Sequence, residues 1–123
     1  MKLVIIESPF AGNVQENTLY ARMAVRDSLL RGEAPIASHL LYTQEGILND
    51  DIKEERQHGI DAGLAWGNVA NQTVVYIDKG ISRGMEYGIQ RAITEGRDIE
   101  FRSLSNFSSD LTVEQCYKKY LIN

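Results

Sequence analysis

Residues 73–102 read TVVYIDKGISRGMEYGIQRAITEGRDIEFR, and this stretch decides the fold. Residues 73–77 are all β-branched or aromatic, an uninterrupted strand signal. Asp78 stands at the end of that strand, and a glycine-containing turn follows. Residues 81–95 then place Ile81, Met85, Ile89 and Ala92 or Ile93 along one helical face, before Gly96 as a natural C-cap. A short strand signal returns at 99–102. Strand, helix and strand within thirty residues form a βαβ unit, whose strands run parallel.

Working upstream, KLVII at 2–6 is a second continuous apolar run, ended by Ser8 and Pro9. Such runs predict strands covered on both faces, as in parallel sheets. Residues 15–31 read as a helix with Leu19, Met23, Arg26 and Leu30 on its expected inner face and Gly32 as its stop. APIAS at 34–38 is a short strand candidate leading into HLLY. A helix is predicted over 52–66, with Ile52, Gly59, Ile60, Gly63 and Leu64 on one side. Its first turn holds Glu54 and Glu55, which suit the positive end of the helix dipole. The small residues Gly59, Ala62 and Gly63 predict close helix packing, within the chain or across a dimer. Trp66, at the helix end, reads as core or interface. Downstream, Thr112 and Gln115 form a capping box that opens a terminal helix.

Four alternations of strand and helix give the α/β class, an open three-layer parallel sheet with helices on both faces. Nothing divides the 123 residues: there is no repeat, no low-complexity tract and no linker, so residues 1–123 are expected to form a single domain. The net charge of -4 argues against a surface built for bulk nucleic-acid binding. The apolar start is too short to cross a membrane or serve as a signal-peptide core. Cys116 is the lone cysteine, so no internal disulfide can form, and it reads as inert in a reducing, cytoplasmic setting. The two histidines, His39 and His58, lack metal-ligand spacing and no third ligand stands out, so no metal site is expected.

In open parallel sheets, ligands bind outside the carboxyl ends of the strands. That rule selects three loops here, 8–13, 38–44 and 78–86. In the first, Ser8 and Asn13 offer hydrogen bonds and Gly12 permits close backbone approach to a ligand, although an ordinary strand-to-helix turn reads the same way. In the second, His39 and Tyr42 could stack on or bond a base, or be structural. In the third, Asp78 and Glu86 are two carboxylates that one loop could aim at a single cleft. Paired carboxylates suit cleavage of a glycosidic bond. The structural alternative is that Asp78 and Ser82 cap the helix while Glu86 is a solvated first-turn acid. Arg26 and Arg83 are candidate phosphate partners.

Three segments carry a resemblance: SPFAG after the first strand, RGEAPIASHLLYT at 31–43, and above all VVYIDKGISRGMEYGIQRAITEGRDIEFR at 74–102. Together they resemble small phage and bacterial proteins of the nucleoside 2-deoxyribosyltransferase-like superfamily, over roughly residues 2–102. The resemblance implies a flavodoxin-like or Rossmann-like sheet and chemistry at the N-glycosidic bond of a nucleoside or deoxynucleotide. It implies that Glu86 attacks the anomeric carbon, that Asp78 holds the sugar or protonates the base, and that Ser8, Pro9, Phe10 and Gly12 contact the nucleoside. The loop before the glutamate reads ISRGM, so Ser82, Arg83, Gly84 and Met85 border the site, with Arg83 an addition to the usual small residues. Phe10 stands where a tyrosine is often found. The resemblance also implies a homo-oligomer and chemistry that requires no metal or redox cofactor. A non-catalytic binder of a nucleotide or ADP-ribose-like ligand, one acting in phage–host conflict, is the alternative, with Arg26, Arg83 and Arg102 as its phosphate partners.

Overall fold

The structure, a computed structural model, describes residues 1–104 and 111–121. In chain order the elements are β1 Leu3–Glu7, α1 Val14–Leu30, β2 Ala34–Ile36, α2 Ser38–Leu41, α3 Lys53–Ala65, β3 Gln72–Tyr76, α4 Arg83–Thr94, β4 Asp98–Arg102 and α5 Val113–Tyr120. The four strands make one sheet in the order β2-β1-β3-β4, and every pairing is parallel. This is a Rossmann-like α/β fold.

The order fixes where the helices lie. The step from β1 to β2 runs one way along the sheet, and the steps to β3 and β4 run the other way. Right-handed crossovers therefore place α1 on one face and α3 and α4 on the opposite face. The two cores agree. Tyr20 and Ala24 of α1 pack with Val4, Ile6, Val74 and Tyr76, whereas Met85 and Ile89 of α4 and Cys116 of α5 pack with Val75, Ile77 and Phe101. Each such large side chain contributes roughly 1.5–3 kcal/mol by leaving water. The direction of chain travel reverses between β1 and β3, the switch point where open α/β sheets hold ligands.

All five residues of β3 are buried, as a continuous apolar run predicts. β1 differs. Val4 and Ile6 are buried under α1, but Ile5 and Glu7 on the other face are only half-buried. That face of β1 lies under a gap between α3 and α4, and the gap is the cleft described below.

Several expectations need correction. The inner face of α1 is Asn17, Tyr20, Ala21, Ala24 and Ser28. Leu19 and Leu30 face solvent at 54% and 73% exposure, and Arg26 is exposed with them. The helix approaches the sheet through small side chains, so the larger apolar residues could not select its face. Residues 38–41 form the short helix α2 rather than a loop. The small residues of α3 serve packing within the chain: a Cβ on Gly63 would lie 2.4 Å from Ser38 Oγ, and one on Gly59 would lie 3.3 Å from Leu48 Cδ1. Trp66 is 41% exposed, and its Nε1 donates to Tyr42 Oη at 3.0 Å. Arg102 is not available to a phosphate. It is buried on the α1 face, held in a fork by Glu33 at 2.8 and 2.6 Å and by Tyr76 Oη at 3.1 Å, with Glu100 as a further partner. That pairing holds the Glu33 carboxyl below its usual range.

Candidate active site

A cleft of about 790 Å³ opens between α4 and the α2–α3 pair, over the exposed face of β1. Its floor is Ile5, Glu7 and Thr73, with Arg97 at one end. Phe10, His39 and Tyr42 line one side, and the helical turn from Ser82 to Gly88 lines the other. The volume suits a nucleoside-sized molecule, since small-molecule sites typically span about 300–1,000 Å³.

Of the residues expected from the sequence, Ser8, Phe10, His39, Tyr42, Ser82, Arg83, Gly84, Met85 and Glu86 border this cleft. Pro9, Gly12, Asn13, Arg26 and Asp78 do not line it. Asn13 is the N-cap of α1, and its side chain accepts from Glu16 N at 3.2 Å. Gly12 has φ 98°, in the left-handed region that glycine adopts without strain, where the chain turns into α1. Asn17 closes the same loop by donating to the carbonyls of Phe10 and Ala11, both at 3.1 Å.

The two carboxylates expected to meet are not brought together. Asp78 is buried on the α1 side of the sheet. Its Oδ2 accepts from Tyr20 Oη at 2.6 Å, its Oδ1 accepts from Ser103 Oγ at 2.6 Å, and both oxygens face Leu104 N at 3.0–3.1 Å. Asp78 N donates in turn to Tyr20 Oη at 3.0 Å. The alternation along β3 explains this placement: Val74, Tyr76 and Asp78 share the α1 face. Glu86 sits in the first turn of α4 with an exposed side chain, its Oε1 accepting from Tyr120 Oη at 2.9 Å with Lys119 Nζ at 3.8 Å. Its Oε2 has no partner among the described residues.

The helix that carries Glu86 starts on Ser82, whose Oγ accepts from Met85 N at 3.3 Å while Ser82 N donates to Met85 Sδ at 3.4 Å. Ser82 is thus occupied in capping, and Met85 fills the core beneath the cleft wall. On the opposite wall, Ser8 Oγ and His39 Nε2 are 2.7 Å apart, and the Phe10 ring meets His39 edge-on at 6.3 Å. Burial lowers the His39 pKa to about 4, so the ring is neutral at physiological pH.

The residue that sequence reading missed is Glu7. It ends β1 on the cleft face, and no hydrogen bond or ion pair engages its carboxyl among the described residues. Gly88 of α4 lies directly against it: a Cβ there would fall 2.3 Å from Glu7 Oε2 and 2.5 Å from Cδ. Burial raises the Glu7 pKa to about 8, opposed only in part by the positive charge of Arg97. Arg97 is itself committed to Thr73 Oγ1 at 3.0 Å, the Gly67 carbonyl at 2.9 Å and Glu95 Oε1 at 2.8 Å. A charge at the end of an otherwise apolar strand was the available signal, while the sheet face it takes is set by the packing of α1. Among the described residues no group of side chains could hold a metal ion, and no helix is long and apolar enough to cross a membrane.

A family model described as "Domain of unknown function (DUF7768)" matches residues 2–102. No curated protein matches the chain. Among solved structures, the chain is similar to a 2-deoxyribosyltransferase from the psychrotolerant bacterium Bacillus psychrosaccharolyticus, with 15% identity and a TM-score of 0.59 over 92% of this chain and 79% of that one. At that identity the likeness is one of fold.

Proposed function

We propose that this chain, which belongs to the DUF7768 family, cleaves or transfers at the N-glycosidic bond of a nucleoside or deoxynucleotide bound in the cleft over β1. The observation that carries this reading is one nucleoside-sized cleft at the sheet's switch point, bordered by a first-turn glutamate with a free carboxylate oxygen. Glu86 is the nucleophile. Its Oε2 attacks the anomeric carbon, while Tyr120 Oη holds Oε1 and fixes the carboxylate plane. The helix N-terminus favours negative charge at this position. Phe10, Tyr42 and Tyr87 supply flat surfaces for the base, and Arg83 at the rim suits a 5′-phosphate. No cofactor enters this chemistry. Water as acceptor makes the protein a hydrolase, and a second base makes it a transferase. The outward leucines of α1, Leu19 and Leu30, support assembly with further copies of the chain. A cytoplasmic setting suits its lone buried thiol.

The test is release of free base from a panel of deoxynucleosides and their monophosphates, with and without an acceptor base. Turnover that vanishes in Glu86→Gln is the expected result. A second reading is a non-catalytic nucleotide-binding protein. It is favoured by one observation: Asp78, the expected partner of Glu86, is fully engaged away from the cleft. Saturable binding of a nucleotide with no released base would establish that reading and overturn the first.

A further inference from the structure

We propose that Glu7 is the proton donor to the departing base, the role that Asp78, turned to the other side of the sheet, cannot fill. This rests on the N-glycosidic reading above. A base leaves as a poor anion unless it is protonated while the C1′–N bond breaks, so the reaction needs an acid that still holds its proton at neutral pH and faces the base. Glu7 meets both needs. Its carboxyl lies on the cleft floor, is unpartnered among the described residues, and is pressed under the backbone of α4 at Gly88. Its pKa of about 8 keeps it protonated.

The other titratable or charged groups around the cleft do not compete. His39 and Tyr42 come from α2 and the residue after it, and the His39 ring holds no extra proton near pH 7. Asp50, Glu55 and Arg56 lie at the α3 end, and Arg83, Glu86 and Tyr87 on α4. Arg97 is the one charge with a resolved influence on Glu7, and it acts against the proton. Glu86 must itself be a carboxylate to attack. Two carboxyls held in different protonation states by their surroundings are the usual division of labour in glycoside cleavage.

The step balances as follows. A Glu86 oxygen forms a bond to C1′ as the C1′–N bond breaks. The bonding pair moves onto the base, which takes the proton from the Glu7 carboxyl. In the second half, the acceptor (water or a second base) bonds to C1′ and the Glu86 ester bond breaks. The acceptor's proton passes to Glu7, which is restored.

The experiment compares the full-length wild-type chain with Glu7→Gln on two substrates. One is an ordinary deoxynucleoside. The other is its 7-methylated purine analogue, whose base already carries the positive charge that protonation would supply. In a single turnover, Glu7→Gln is expected to slow release of the ordinary base by about 10²–10⁴-fold and to leave release of the methylated base, which precedes any reaction with the acceptor, within about threefold of the wild-type rate. The alkaline fall in wild-type kcat/KM is expected near pH 8 with the ordinary substrate and absent in the variant. Gly88→Ala, which displaces the carboxyl without removing it, should show the same preference for the methylated substrate. Equal slowing of both substrates, or none, overturns the role of Glu7 while leaving the glycosidic reading standing. No base released by the wild type from either substrate overturns both.

Discussion

Replacing Glu7 by glutamine should make the protein more stable, and increasingly so as the pH rises. The folded protein holds the Glu7 proton up to about pH 8, whereas the unfolded chain releases it near the ordinary value of 4.5. Between those two values the unfolded state sheds a proton that the folded state keeps, so rising pH favours unfolding. The stability of the wild type is therefore intact below pH 4.5 and is lost progressively up to pH 8. At about 1.4 kcal/mol per pH unit, the loss reaches ~3 kcal/mol at pH 7 and ~5 kcal/mol above pH 8. Glutamine keeps the shape and cannot ionise, which removes the loss. Urea unfolding of wild type and Glu7→Gln at pH 4.5, 7 and 9 measures it. The two proteins should be equal at pH 4.5 and should separate by roughly 3 kcal/mol at pH 7, or about 10 °C in Tm for a chain of this size. A stability difference that is flat across this range would refute the placement of Glu7 as a desolvated, unpaired acid. A gain in stability with a loss of activity is also what a residue retained for function, rather than for the fold, should give.

Two other residues carry predictions of their own. Tyr20→Phe removes a hydroxyl that donates to the Asp78 carboxylate and accepts from the Asp78 amide. Unfolding should show a loss of about 2–3 kcal/mol, and a loss under ~0.5 kcal/mol would contradict the buried geometry. His39 should titrate by NMR at about pH 4. The unfolded chain takes up its proton near 6.5, so stability should fall as the pH drops from 6.5 towards 4, by ~3 kcal/mol; His39→Asn should flatten that limb, and titration near 6.5 would place the ring in solvent.

The sheet was legible because its signals were local. The run at 73–77, the stripe Met85, Ile89 and Ala92, and the capping pair Thr112 and Gln115 appear in the structure at β3, α4 and α5 within one to two residues of where the sequence puts them. The face of α1 was not legible, because Ala21, Ala24 and Ser28 are small enough to let the helix settle close to the sheet, and size alone pointed to the leucines. Four residues are too few for a periodic signal, so α2 went unseen. The cleft was placed at the correct strand ends, but which acid faces it depends on strand alternation. Glu7 and Asp78 each end a run of apolar residues, and the two point to opposite sides of one sheet. Telling them apart requires knowing which face α1 covers, which is the feature the sequence concealed. The pressure of Gly88 on Glu7 joins residues 81 apart in the chain and leaves no mark in local composition.

Asp78 joins three parts of the chain: Tyr20 in α1, its own strand end, and residues 103 and 104, where the chain leaves β4 on its way to α5. The helix reached by that route carries Tyr120, which holds Glu86. Under the proposed mechanism, a substitution at Asp78 would loosen the point where the chain leaves β4, and its damage would register as lost turnover although the side chain lies outside the cleft. In this architecture an inactive Asp78 variant reports on anchorage. Only the pairing of activity with the substrate's need for a proton separates an acid in the cleft from a fastening behind it.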